Sequence, residues 1–75
     1  MNMRNISDEQ REAYKELILL LREVDSNQSF FMGVFRALDS DEEKMKMLRW
    51  IRMRKNLKRV DVSRKLLEII GNKRT

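Results

Sequence analysis

The chain has no cysteine, no histidine and no proline, and its two glycines are Gly33 and Gly71. Without cysteine there can be neither disulfides nor thiolate metal sites to reinforce a small core. Without histidine, a zinc site would have to be built from carboxylates alone. The usual acid/base group at neutral pH and the usual thiol nucleophile are both missing, and two separated glycines make no phosphate-cradling loop. These absences argue against an enzyme, a bound cofactor or a small-molecule substrate. Paired acids such as Asp41 with Glu42, or Glu12 with Glu16, read more simply as helix-capping and solvated-face residues. The longest apolar run, Leu17 to Leu21, is five residues, whereas a membrane-spanning helix needs about 20. No leader segment is visible in the polar start Met1-Asn2-Met3-Arg4-Asn5. A cytoplasmic protein without membrane insertion is the expectation.

The apolar content is ample for a folded domain: 41% of 75 residues, with nine Leu, five Ile, four Val and six Met. A chain of this length makes one domain, 1–75. It buries only about 60–65% of the surface its unfolded form exposes. Its core is therefore thin, and association with itself or a partner is the remaining route to extra stability.

The scarcity of glycine and proline favours an all-α fold, and the helical period divides it into four short helices at about 7–24, 28–38, 40–54 and 61–70. Ser7-Asp8-Glu9-Gln10 has the spacing of a capping box. The first helix then carries Ala13, Tyr14, Leu17, Ile18, Leu20, Leu21 and Val24 on one stripe, with Leu19 on the opposite side. Asp25-Ser26-Asn27 is a polar break whose side chains compete for local backbone groups. Phe30, Phe31, Val34, Phe35 and Leu38 form the stripe of the second helix, which this pattern puts at the centre of the core. Gly33 lies off that stripe, where it would permit close approach of another backbone.

Ser40 and Glu43 repeat the capping-box spacing, with Asp41, Glu42 and Glu43 over the positive end of the third helix. Met45, Met47, Leu48, Trp50 and Ile51 spread over more than half its circumference. Lys46, Arg49 and Arg52 make a basic stripe on the rest, and Met53 lies within it. A Trp at such a position belongs in the core more often than on a stacking surface. Residues 54–60 either extend this helix or form a basic connector. Asp61 or Ser63 can cap a last helix with Val62, Leu66, Leu67, Ile69 and Ile70 as its apolar residues. Gly71 should end it in the left-handed conformation, leaving a frayed basic tail.

Charge is divided along the chain. Residues 1–43 hold five basic and ten acidic residues; residues 44–75 hold twelve basic residues and only Asp61 and Glu68 as acids. The halves carry −5 and +10, which a net charge of +5 conceals. Helix dipoles account for the acids at helix starts and for Arg52 and Arg54 near a helix end. They do not account for Lys46 and Arg49 in mid-helix or for the density from Arg52 to Arg59. Packing of the basic half against the acidic first helix would account for some of it.

The candidate binding residues are Lys46, Arg49, Arg52, Arg54, Lys55, Lys58, Arg59, Arg64 and Lys65. Two partners fit them. One is a protein, including another copy of the chain in a homo-oligomer, as in an adaptor, inhibitor or regulatory subunit; the adaptable methionines of the third helix favour it. The alternative is nucleic acid, whose phosphates a basic cluster would contact, with Arg64 and Lys65 near the start of a recognition helix. A connector of 54–60 is longer than the tight turn usual between the two helices of a helix-turn-helix.

Overall fold

Three of the four helix starts carry a side chain that accepts a free backbone N–H. The computed structural model describes residues 8–72 and contains four helices: α1 Asp8–Val24, α2 Gln28–Ala37, α3 Asp41–Arg52 and α4 Arg59–Asn72. The expected cap at Ser7 and the tail after Asn72 lie outside the described residues.

Between α1 and α2, the Asp25 carboxylate accepts the Asn27 N–H at 2.8 Å, and the Asn27 side chain accepts the Ser29 N–H at 2.9 Å. The box before α3 is complete. Ser40 Oγ accepts the Glu43 N–H at 3.1 Å, while Glu43 Oε1 accepts from the N–H groups of Asp39 (2.8 Å) and Ser40 (3.4 Å). These bonds let the Glu43 carboxylate stand at 6% exposure, where an unsatisfied acid would be costly.

The helix α3 stops at Arg52, with Met53 as its cap, so the basic segment is a surface connector. Asn56 takes φ 58° there, a left-handed conformation that Asn adopts more readily than most residues. The helix α4 begins at Arg59, two residues earlier than its sequence suggests. Asp61 does not precede the helix but reaches back from its first turn to accept the Lys58 N–H at 3.0 Å. At the other end Gly71 is helical, and no glycine has positive φ. The expected left-handed stop at Gly71 is thus not formed, because α4 continues through Asn72.

The helices pack in the cyclic order α1, α3, α4, α2. Leu17 and Leu21 of α1, Val34 of α2 and Leu38 at its end, Met47, Leu48 and Ile51 of α3, and Val62 and Ile69 of α4 form the core. Centring this core on Phe-rich α2 is incorrect. Phe30, Phe31 and Phe35 are only partly buried and pack around the nine core residues. A thin bundle cannot enclose three phenyl rings, and they line its rim instead. There Arg59, Arg22 and Lys44 lie over the rings of Phe30, Phe31 and Phe35 at 5.7, 5.8 and 4.8 Å from the centroids. Gly33 is exposed, and a Cβ placed there would meet nothing within 4 Å, so it serves no close approach. Among the described residues, no helix is long and apolar enough to cross a membrane.

Candidate basic interface

The nine candidate cations divide by what they touch. Arg52 turns toward α1 and binds Glu16 with two bonds, Nε to Oε2 at 2.8 Å and Nη2 to Oε1 at 2.6 Å. This geometry holds the Glu16 carboxyl below its ordinary range, chiefly through the hydrogen bonds from Arg52. Arg59 turns toward the α1–α2 break and meets Asp25 at 2.5 Å. The Asp25 carboxyl is lowered first by the Asn27 N–H and then by Arg59. These two arginines tie the basic half to the acidic half. Both are engaged in ion pairs at the protein surface.

Lys65 and Arg54 converge on Trp50. The Arg54 guanidinium lies 5.4 Å and the Lys65 ammonium 5.9 Å from its ring centroid. Lys65 also binds Glu68 at 2.6 Å, which lowers the Glu68 carboxyl. Trp50 is half-buried and packed against the core, bridging the seam where α3 meets α4.

Lys46, Arg49, Lys55, Lys58 and Arg64 remain. Each is exposed, and none makes an ion pair with a described residue. The helical rotation of about 100° per residue places Lys46 and Arg49 within about 60° of each other, with Met53 between them, opposite buried Met47 and Ile51. Trp50 falls about 40° beyond Lys46, on the flank facing α4. Lys65 is on the matching flank of α4, and Arg64 lies beyond it on the outward face. Lys55 and Lys58 fill the connector between the two helices. The cations thus run from the outer face of α3 across the Trp50 seam and the connector to α4, where Asp61 and exposed Glu68 fall between Lys65 and Arg64 on the helical wheel. The acidic first turn of α3, with exposed Asp41 and Glu42, bounds this run at one end.

Sequence reading missed two features of this side. Leu67, counted among the apolar residues of the last helix, is 65% exposed, and Val60 is 55% exposed. The helical angle holds the signal for both: Val60, Arg64 and Leu67 fall within about 60° of one another, on the side away from Val62 and Ile69. By contrast, the wide apolar spread of α3 is absorbed inside. Met47 is 0% exposed, and Met45 packs against the core.

Elsewhere, an open groove of about 410 Å³ lies between the end of α1 and the connector, floored by Leu20, Val24, Ile51 and Leu57 with Glu23 and Lys55 at its edge. No group of acidic residues among those described is arranged to hold a metal ion. No protein-family model, curated protein or solved structure matches the chain.

Proposed function

We propose that the protein is a non-enzymatic nucleic-acid-binding module whose working surface is the basic side of α3, the connector and α4. The observation that carries this reading is the sorting of the cations. Arg52 and Arg59 are paired with acids of the first half, while Lys46, Arg49, Lys55, Lys58 and Arg64 stand exposed and make no ion pair with a described residue. Unpaired cations spread over a surface suit a polyanion, whose phosphates recur along its length. A protein partner was favoured by the thin core and by the methionines and apolar breadth of the third helix; of those methionines Met45 and Met47 pack into the core, while Met53 stands 82% exposed.

The test is a fluorescence-anisotropy titration with mixed-sequence duplex DNA, single-stranded DNA and duplex RNA at two salt concentrations. Five phosphate contacts would weaken duplex binding by roughly 10² to 10³ between 50 and 200 mM salt. Absence of binding to every nucleic acid at the lower salt would overturn the proposal and direct attention to an acidic protein surface.

A further inference from the structure

The kind of nucleic acid, and the element that reads it, follow from two further observations, and this inference rests on the nucleic-acid reading above. The first is the state of the aromatic residues. The chain has one Trp, one Tyr and three Phe. Every one of these rings already has a cation over it: Arg54 and Lys65 at Trp50, Lys44 at Tyr14 and Phe35, Arg22 at Phe31 and Arg59 at Phe30. Single strands are gripped by stacking unpaired bases on open aromatic faces. None of these five half-buried rings offers such a platform beside the five free cations.

The second is the outward face of α4. This helix is 14 residues long, about 21 Å at 1.5 Å per residue. Its inner side is braced by α2 and α3, while Val60, Ser63, Arg64 and Leu67 stand on the outside. The mixture suits base edges: an arginine can donate two bonds to guanine, a serine can serve either partner, and exposed aliphatic side chains can meet thymine methyl groups. Lys58 directly precedes this helix, and Lys46 and Arg49 stand on the outer face of the neighbouring α3; these are the cations available to the phosphates that border a groove. The two nearby acids are occupied, Asp61 by the Lys58 N–H and Glu68 by Lys65. We infer that α4 is a reading helix, which lays the face of Val60, Ser63, Arg64 and Leu67 in the major groove of duplex DNA. The groove of B-form DNA, about 12 Å wide, admits a helix; the deep, narrow major groove of duplex RNA does not.

The experiment is selection of binding sites by the full chain from a random-sequence duplex DNA library, followed by affinity measurements on the selected and scrambled duplexes. A short enriched motif is expected, with a guanine whose N7 is protected from dimethyl sulfate in the complex. Replacing thymine by uracil in that motif should weaken binding several-fold. Arg64→Lys keeps the charge but loses the two-armed donor. It should cut the preference for selected over scrambled DNA roughly tenfold. The thymine and protection arms use the unaltered protein and so do not depend on the variant folding. Equal affinity for all duplexes, an unprotected guanine N7 with no response to uracil, or tighter binding to single strands would each overturn the reading helix while leaving nucleic-acid binding in place. Absence of binding to any nucleic acid at low salt would overturn both.

Discussion

Arg52 of α3 holds Glu16 of α1 through two parallel hydrogen bonds of 2.8 and 2.6 Å, 36 residues apart in the chain. This contact separates Arg52 from Arg49, one turn away on the same helix and facing solvent without an acid. Neighbouring arginines thus have different tasks. Arg52→Ala and Glu16→Ala should each lower the Tm by a few degrees at most, since the pair is exposed to solvent. The double variant should lose less than the two single losses together. Arg49→Ala should leave the Tm unchanged and weaken binding to DNA. Thermal melts paired with DNA titrations check this crossover; equal effects of Arg52 and Arg49 on both readouts would contradict it.

Apolar residues of similar chemistry differ here by position. Leu21 and Met47 are 0% exposed, and Leu67 is 65% exposed. Leu21→Ala or Met47→Ala should cost about 2–5 kcal/mol, a large share of the roughly 4–11 kcal/mol expected for a domain of this size. Leu67→Ala should stay within about 0.5 kcal/mol of the parent. Urea denaturation at constant pH measures all three.

The cap at α3 makes a prediction of its own. Ser40→Ala removes one acceptor and should cost about 1 kcal/mol. Glu43→Ala should cost more, because the N–H groups of both Asp39 and Ser40 lose the buried carboxylate they donate to. The same urea series tests the order, and a Glu43 variant milder than the Ser40 variant would refute it.

How much of this was legible beforehand depended on sequence distance. The Ser40 to Glu43 box and the Asp25-Ser26-Asn27 break act within four residues, and their helices begin where the residues indicate. The start of α4 was harder to place, because Lys58 is an unusual residue before a helix and Asp61 supplies the bond from inside it. Gly71 misled because α4 carries on through it. The nine candidate cations could be named from local density, but the acids that pair with Arg52 and Arg59 are more than 30 positions away. No local pattern reveals that pairing. The exposure of Leu67 was legible in the helical angle and was overlooked in favour of residue type.

Stability should depend on pH at both extremes. Hydrogen bonds from Gln10 and Tyr14 lower the Asp41 carboxyl; bonds to Arg52 lower Glu16; the Asn27 N–H and Arg59 lower Asp25. The unfolded chain therefore takes up protons first on acidification. The stabilisation is complete above about pH 5 and is lost as pH falls through the ordinary carboxyl range and below it. Tyr14 behaves oppositely. Burial, reinforced by the bond and charge of Asp41, raises its hydroxyl above the ordinary value near 10. Its contribution is present below that value and declines as pH rises past it. Tyrosinate absorbance in the folded protein should titrate late, and Asp41→Asn should bring it earlier.

The central claim, that Lys46, Arg49 and Lys58 contact phosphates while Arg52 does not, is tested most directly by the salt dependence of duplex DNA binding. The slope of log Kd against log salt should fall by about 0.9 for each of Lys46→Ala, Arg49→Ala and Lys58→Ala, and Arg52→Ala should leave it unchanged. An unaltered slope in the first three variants, or no duplex binding at low salt, would contradict the account.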